Sequence, residues 1–545
     1  MIPIKLTPRF DRFKGRNPIN DPVFLSTQRD FRTKILAKKI IHLIAFLITF
    51  SGMSYLFREA FRWQILDDGL ILSKTLFPPW GDSSIDYQRS SGRNFFGLGI
   101  LIEISRLMFG TNPLGYFLLS IGLWVLVIFT AALIVHKTTN NKKIAFSAAV
   151  LILFVPTSPE IYLTLLKLEK FSTLSILIFI FGAIHLKDGQ GVPRYEILVA
   201  VSFLSAIVIS KETIIIYFVV LYFSMVLFGD SKISKKFNFT IFGRRYLFLI
   251  FTLFIITKYL YPFMFSNNDS YGSGLRFSLV EAKAKVVGYL FRNPFTFYLL
   301  FFLILVYVIG YVYKAKLNSL ATGLMLSVLV EFLLYLFGWS GSQIYYLYNI
   351  EVFSIISLIL QLNVLSRHFQ HTQKMKFLVN IILVCFLLYQ LNTFYFRSEI
   401  LINAHKIDSI LIDEHVLTKG SVLLNFPKDS EMPFNVSAIS GFPATLASDV
   451  VLHTPRCNSE ILILHGDPWN IVFGVRGVNW PPLEDQITKL SQDGIHLKEV
   501  WNIEKSSSYY VPGIGMPNIS ALFKLSKYDF QYGITKVRID CANKP

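Results

Sequence analysis

The polar interval at residues 58–113 carries side chains suited to chemistry, and it lies between two long apolar segments. Charged groups beside a lipid phase are costly to keep, and they commonly mark functional sites. A carboxylate there can accept a proton from an incoming hydroxyl or amine, and a cation can bind an anionic headgroup. We therefore predict a catalytic loop at a membrane surface. The charged residues that motivate this prediction are Asp67, Asp68, Lys74, Asp82, Asp86, Arg89 and Arg93.

Two of these carboxylates, Asp67 and Asp68, are adjacent in the chain. Neighbouring residues on a helix point in directions about a third of a turn apart, so we expect only one of them to contact a reacting centre. The alternative is an exposed loop pair that caps a helix beginning near Gly69. Taken alone, the pair favours this capping interpretation.

The composition is that of a membrane protein. Hydrophobic residues make up 53% of the 545 residues, and several apolar runs approach the length of a bilayer-spanning helix. The fold class predicted from these runs is a polytopic α-helical membrane protein with about 11 transmembrane helices. The spans are expected near residues 40–57, 114–136, 144–157, 171–186, 195–210, 213–229, 246–265, 294–313, 320–338, 344–366 and 377–396. The segment "GRNFFGLGILIEISRLMFG" has charged residues within its apolar run and is predicted to be an amphipathic helix on the membrane surface.

Basic residues indicate the orientation of the chain. The net charge of +18 comes from short Lys and Arg clusters between apolar segments, so no nucleic-acid partner is predicted. Residues 1–39 are basic, lack the features of a cleaved signal peptide and are placed in the cytoplasm. Counting from there, every even-numbered connection carries Lys or Arg, as the positive-inside rule requires. The odd-numbered connections, which include 58–113 and 156–170, then face outward.

Residues 397–545 have a different pattern, with strand-length apolar segments separated by Pro, Gly, Asp and Asn. They are predicted to form a small mixed α/β domain outside the cytoplasm. In that compartment Cys457 and Cys541 could form a disulfide, but their pairing is left open. The richness in Lys, Ile, Phe and Asn favours a bacterial inner membrane, which would make this domain periplasmic.

Several stretches are similar in pattern to one known group of enzymes. In the first loop they are the Asp67-Asp68 pair, "PPWGD" (Pro78–Asp82), "SSGRNFFGLGI" (Ser90–Ile100) and "FGTNPLGYFLL" (Phe109–Leu119). Later ones are "FVPTSPEIYLTLLKLEKFSTLSIL" (Phe154–Leu177), "SKETIIIYF" (Ser210–Phe218) and "SQIYYLYNIEVFSIISL" (Ser342–Leu358). Over roughly residues 40–360 the chain resembles the GT-C superfamily of polyprenol-phosphate-sugar-dependent glycosyltransferases, in particular its protein O-mannosyltransferase-like branch.

The chain also departs from that family's pattern. Arg93-Asn94 stands in place of Arg-Pro, Phe117 replaces a His, and Glu169-Lys170 replaces a basic-acidic pair. The C-terminal region shows none of the 34-residue helical repeats that some relatives carry. The donor and the acceptor could therefore differ from those of the protein-modifying members.

The resemblance implies roles for particular residues. Asp67 or Asp68 would be the general base or the carboxylate that positions the acceptor, and Glu160 and Glu169 are candidates for a second acidic group. The cations implied for the lipid phosphate are Arg93, Lys170 and Lys211, with Arg89, Lys74 and Arg276 as weaker candidates.

Structural alternatives stay open for two of these motifs. Lys211 with Glu212 could be a polar turn between spans, and Glu169 with Lys170 could be a pair whose charges reach toward the membrane interface. No His or Asp cluster has metal-ligand spacing, so no bound cofactor is predicted, although some relatives need a divalent metal.

The predicted function is transfer of a sugar from a polyprenyl-phosphate donor to a protein, lipid or glycan acceptor on the outer face of the membrane, with inversion. Membrane lipids are the expected surroundings, and the cell envelope is the expected setting. The alternative is a transporter of lipid-linked saccharides or a non-catalytic scaffold. Charged residues concentrate at span ends, with Glu331 among the few acids within a span, and this favours an enzyme.

Overall fold

The structure is a computed structural model. It describes residues 40–62, 96–165, 167–187, 193–209, 213–227, 279–315, 317–337, 344–369, 373–411, 422–425, 460–466, 484, 488, 496–512 and 525–540. Contacts divide the chain into two compact units, with the boundary between Leu56 and Phe57. Helix α1 (Ile40–Leu56) belongs to the first unit, and the remaining elements belong to the second.

The second unit is mainly helical. Its helices are α2 (Phe96–Phe109), α3 (Pro113–Thr139), α4 (Lys142–Leu153), α5 (Ser158–Tyr162), α6 (Glu169–Lys187), α7 (Pro193–Val208), α8 (Ile214–Leu227), α9 (Leu279–Arg292), α10 (Pro294–Val312), α11 (Ser319–Phe337), α12 (Leu347–His368) and α13 (Gln373–Leu411). Within the described ranges, α3, α10, α11 and α12 are each long and apolar enough to cross a membrane.

Most of the helices that fall on predicted spans end within three residues of the predicted span limits. The main difference is α13, which was expected to end at residue 396 and instead continues to Leu411. The predicted span at 246–265 lies outside the described residues, and the total of about 11 spans stays a prediction. A helix, α2, forms where the amphipathic surface helix was expected.

Asparagines mark both ends of α3 and the start of α4. At the start of α3, Asn112 accepts a hydrogen bond from the amide of Leu114 at 3.0 Å, next to Pro113 in the first turn. At its end, Asn140 adopts the left-handed conformation with φ 55°, and Asn141 then caps α4. Local sequence therefore sets where α3 begins and ends and where α4 begins.

Helix α12 is central to the bundle. Each residue from Leu347 to Gln361 is buried, so every face of this stretch is covered by protein. At its C-terminal end the Arg367 guanidinium donates to the Thr139 carbonyl at 2.9 Å, and the rings of Tyr313 and Phe369 lie 5.0 Å apart. The ends of α3, α10 and α12 therefore meet, and all three lead into connections that were predicted to face the cytoplasm.

The C-terminal strands form one mixed sheet. Its strands are β1 (Val422–Asn425), β2 (Glu460–Gly466), β3 (His496–Pro512) and β4 (Leu525–Asp540), in the order β1-β2-β4-β3. β1 is parallel to β2, and the other pairs are antiparallel. α13 packs against β3. The predicted domain boundary at residue 397 falls inside α13, and the separate C-terminal domain stays a prediction.

Candidate functional site

A fully buried connection between α4 and α6 carries the candidate site. Each residue from Val155 to Leu165 is buried, including the short helix α5. Connections usually run over the surface because their backbone groups need partners. This one is instead enclosed by protein, and it brings several charged side chains inside.

The carboxyl group of Glu160 on α5 contacts the guanidinium of Arg397 on α13. The carboxylate Oε2 lies 3.5 Å from the guanidinium Nη1, and the two side chains are only 1% and 4% exposed. Among the described residues, the other carboxyl oxygen, Oε1, has no hydrogen-bond partner. A buried carboxyl oxygen without a partner is costly in free energy, which makes Glu160 a candidate for a functional role.

Burial raises the pKa of Glu160 to about 8. The positive charges of Arg397 and Lys167 act in the opposite direction, while Glu169 and Glu351 raise the pKa further. The carboxyl is therefore mostly protonated at neutral pH and titrates in the range useful for proton exchange.

Lys170 is held inside the protein by α3. Its Nζ donates to Ser120 Oγ at 3.0 Å and to the Thr164 carbonyl at 3.2 Å, and Ser120 in turn donates to the Tyr162 carbonyl at 2.6 Å. Lys170 and Glu169 are 2% and 1% exposed. The alternative of a pair reaching toward the membrane interface is therefore wrong, because such a lysine would expose its ammonium group.

Aromatic side chains surround these charges. The hydroxyls of Tyr162 and Tyr348 lie 2.8 Å apart, and the Tyr162 ring stacks on Trp124 at 5.0 Å. Burial raises the pKa of Tyr162 well above its ordinary value, so its hydroxyl stays protonated. Lys167 Nζ lies 3.9 Å from the ring centre of Tyr345, in the range of a cation–π contact.

Glu351 on α12 joins this connection to α10. Its Oε2 accepts hydrogen bonds from the hydroxyl and the amide of Thr157, at 2.6 and 3.4 Å. Its Oε1 accepts from Asn293 Nδ2 and Thr296 Oγ1, both at 2.6 Å. One buried carboxylate therefore connects three segments that are far apart in sequence.

The N-terminal ends of α6, α10 and α12 converge at this point. Thr173 of α6 donates to Asn349 of α12 at 2.5 Å, and Glu351 binds the first turn of α10. Helix N-termini carry partial positive charge and favour anions. This end of the bundle therefore combines three such termini with the three cations Lys167, Lys170 and Arg397.

A second buried carboxylate cluster lies beside the first. Glu331 on α11 accepts from the hydroxyls of Tyr217 at 2.6 Å and Tyr335 at 3.0 Å. Thr213 lies 3.3 Å from the same Tyr335 hydroxyl, and the Tyr335 ring stacks on Tyr346 at 5.2 Å. The start of α8 is therefore linked to the start of α12 through Tyr335.

The beginning of the first loop, at Glu59 and Ala60, contacts the C-terminal part of α13 at His405 and Lys406. The Nδ1–H of His405 donates to the Ala60 carbonyl at 2.5 Å, and Lys406 lies 3.4 Å from Glu59. The Phe117 ring contacts both Phe61, at 5.5 Å, and His405, at 5.7 Å. Burial lowers the pKa of His405 to about 4, so the imidazole is neutral at physiological pH.

Three of the predicted site residues meet in this region: Glu160, Glu169 and Lys170. Five others, Asp67, Asp68, Arg89, Arg93 and Lys211, lie outside the described residues. The sequence analysis did not single out Lys167, Glu351 or Arg397. The available signal was weak: each is a charged residue beside aromatic or apolar neighbours, as in "LYNIEVF" and "TFYFRSE".

Within the described ranges, no group of three or more His, Cys, Asp or Glu side chains is placed to hold a metal ion. The expectation that the protein binds no cofactor stays a prediction.

The described helices are those of a polytopic helical membrane protein, and the buried charged side chains around Glu160 and Glu351 lie at one end of its bundle. Among solved structures, the chain is similar to ArnT from Cupriavidus metallidurans, both bound to undecaprenyl phosphate and in the apo state. The identities are 10% and 11%, both TM-scores are 0.41, and the matches cover 92% and 91% of this chain and 98% of ArnT in both cases. No protein-family model and no curated protein sequence matches the chain.

Proposed function

We propose that the protein is a membrane glycosyltransferase of the GT-C type. It transfers a sugar from a polyprenyl-phosphate donor to a protein, lipid or glycan acceptor on the outer face of the membrane, with inversion. One observation carries this proposal. The separate stretches that gave the sequence resemblance pack against each other, through the pairs Thr157–Glu351, Tyr162–Tyr348 and Lys167–Tyr345.

A third stretch joins the same assembly. Thr213, which follows Lys211 and Glu212 in the sequence, contacts Tyr335, and Tyr335 stacks on Tyr346 beside Tyr345. Stretches from three parts of the chain thus contribute to one buried polar region. This is the arrangement expected of a site rather than of unrelated span ends.

The charge distribution supports an anionic ligand. The cations Lys167, Lys170 and Arg397 and the converging helix N-termini favour a phosphate, which develops additional charge as it leaves the sugar. A polyprenyl chain would remain among the apolar helices while its phosphate lies at their end. This placement avoids moving a charged headgroup into hydrocarbon.

The acids then divide into two roles. The oxygen of the acceptor forms a bond to the anomeric carbon, the bond from that carbon to the donor phosphate oxygen breaks, and the acceptor proton passes to Asp67 or Asp68. Glu160 is mostly protonated at neutral pH, so it acts as a hydrogen-bond donor to the phosphate or the sugar. The products are the glycosylated acceptor and polyprenyl phosphate.

The remaining assignments are part of the same proposal. The protein lies in a bacterial inner membrane, with a cytoplasmic N-terminus and a periplasmic C-terminal region, and it belongs near the protein O-mannosyltransferase-like branch. Arg89, Arg93 and Lys211 are further phosphate ligands, and Glu169 is a second candidate acid.

The test is transfer from a panel of radiolabelled polyprenyl-phosphate sugars to membrane acceptors. We expect labelled product with one donor, and its loss in the combined Asp67→Asn and Asp68→Asn variant. Lys170→Met should lower transfer strongly, whereas Lys142→Met, which removes an exposed lysine at the start of α4, should not. Absence of product with every donor, from folded wild-type protein, would overturn the proposal.

A transporter of lipid-linked saccharides is the second candidate, and Glu331 is the observation that favours it. A buried carboxylate within a membrane span is commonly functional. Proteoliposomes discriminate the two functions, because a transporter moves the intact lipid-linked saccharide and releases no polyprenyl phosphate.

A further inference from the structure

We propose that Glu351 is a positioning residue that fixes α5, and with it Glu160, in the site. This inference rests on the proposed function, since it gives the placement of Glu160 a catalytic purpose. Glu351 is fully buried and lies 191 residues from Glu160 in sequence. No local sequence pattern connects the two residues.

Helix α12 holds both ends of α5. Thr157, immediately before α5, is bound by Glu351, and Tyr162, the last residue of α5, is bound by Tyr348. Tyr348 and Glu351 are three residues apart on α12 and therefore lie on the same helix face. Because α5 has only five residues and little stability of its own, contacts at its two ends determine where Glu160 lies.

The second oxygen of Glu351 makes this arrangement rigid. It binds Asn293 and Thr296 at the start of α10, and Asn293 Nδ2 also lies 3.0 Å from Thr296 Oγ1. The Glu351 carboxylate is thus fixed by a long helix on one side while it holds α5 on the other. A side chain locked in this way can impose a position on a short neighbouring segment.

The four groups around Glu351 all donate hydrogen bonds to it. A carboxylate accepts from all of them through its two oxygens, but a glutamine would present one NH₂ group to donors. Glu351→Gln has almost the same shape, yet it leaves buried donors without an acceptor. The substitution therefore tests the hydrogen bonds without creating a cavity.

The first experiment is hydrogen–deuterium exchange on full-length Glu351→Gln protein in detergent. We expect the amides of residues 157–163 to exchange about tenfold faster or more, which corresponds to a local loss of about 1.4 kcal/mol. The amides in the middle of α3 should be unchanged. Glu331→Gln, which alters another buried glutamate, should leave residues 157–163 protected as in the wild type.

Two exchange results would overturn the inference. One is unchanged protection of residues 157–163 in folded Glu351→Gln protein. The other is equally accelerated exchange in α3, which would show a general structural role. Neither result depends on the sugar-transfer assay, so failure of the proposed function is recognised separately.

The second experiment uses Thr157, the partner of Glu351 next to α5. Thr157→Val removes the hydroxyl while retaining the shape, and Thr157→Ser keeps it. We expect Thr157→Val and Glu351→Gln each to reduce kcat about 10- to 100-fold with little change in donor KM, and the double variant to be no worse than either one. Thr157→Ser should stay within about threefold of the wild type. Additive losses, or unchanged kcat in both single variants, would contradict the inference.

Discussion

At the scale of single residues, charge compensation within a buried region is the main feature of this protein. The carboxylates are Glu160, Glu169 and Glu351, and the cations are Lys167, Lys170 and Arg397, all less than one tenth exposed. Burying one such charge alone would cost several kcal/mol. The nearby cations lower the cost of burying the carboxyl groups, while the raised pKa of Glu160 shows that compensation at that residue is incomplete.

The raised pKa of Glu160 should affect how the free energy of unfolding depends on pH. Folded Glu160 keeps its proton up to about pH 8, whereas an unperturbed glutamate releases it near pH 4.5. Between these values the folded state binds more protons, so the free energy of unfolding falls as pH rises through the window. We expect Glu160→Gln to flatten this decline by a few kcal/mol, measured by unfolding in detergent at pH 5 and pH 8.5.

The matched control is Glu103→Gln, which alters a 42% exposed glutamate paired with Arg106 at 2.9 Å. Its pH profile should run parallel to that of the wild type, because exposed pairs contribute little to stability. If Glu160→Gln also runs parallel to the wild type, the buried carboxyl does not titrate as stated.

Sequence could predict some of these residues but not their partners. Glu160 and Lys170 lie in a stretch with a recognisable pattern, so they could be named as candidates. Arg397 and Glu351 could not, because their site contacts Glu160 and Thr157 lie 237 and 194 residues away. Pairing over such distances depends on how the helices pack, which a linear pattern does not specify.

At the scale of helices, long apolar runs identified the elements well. The starts of α3 and α10 were predictable because Pro113 and Pro294 follow asparagines, and the apolar runs continue from there. The continuation of α13 was not predictable, since "RSEILINAHKIDSIL" contains eight polar and seven apolar residues. Those polar side chains have partners elsewhere, such as Arg397 with Glu160, so helix is retained beyond the span.

Close packing of α8 on α11 gives a prediction at this scale. A Cβ added at Gly323 would lie 2.9 Å from the Cβ of Ser224 and 3.1 Å from Leu221 Cδ2. Since a Cβ cannot rotate away, the helices must separate, and we expect Gly323→Ala to destabilise the protein by about 1–3 kcal/mol. Thermal unfolding in detergent measures the change.

Gly52 provides the comparison, because an added Cβ there meets no heavy atom within 4 Å. Gly52→Ala should be neutral or slightly stabilising, as expected for alanine within a helix. Equal stability of Gly323→Ala and wild type would show that α8 and α11 are less closely packed than described.

At the scale of the whole second unit, connections of the two predicted classes meet at opposite ends of α12. Arg367 joins the end of α3 at one end, and Glu351 joins the α4–α6 connection and α10 at the other. This arrangement agrees with the alternation expected from the basic clusters.

Thiol labelling assigns the compartments. After replacement of Cys385, Cys457 and Cys541, single cysteines are introduced by Lys142→Cys, between α3 and α4, and by Thr111→Cys, between α2 and α3; both positions are exposed. A membrane-impermeant reagent added to intact cells should label the second and not the first. The reverse labelling would contradict the proposed orientation.

The attachment of the first loop to α13 has a consequence for how the protein is made. Ala60 and His405 are 345 residues apart, so the loop entry cannot be secured until nearly three quarters of the chain has been synthesised. At the usual rate of translation, roughly 20 to 70 s pass between the synthesis of Ala60 and that of His405. The early helices must therefore be inserted and kept in place before the residues of the site can assemble. A ribosome that stalls before α13 leaves a chain that is in the membrane but has no complete site.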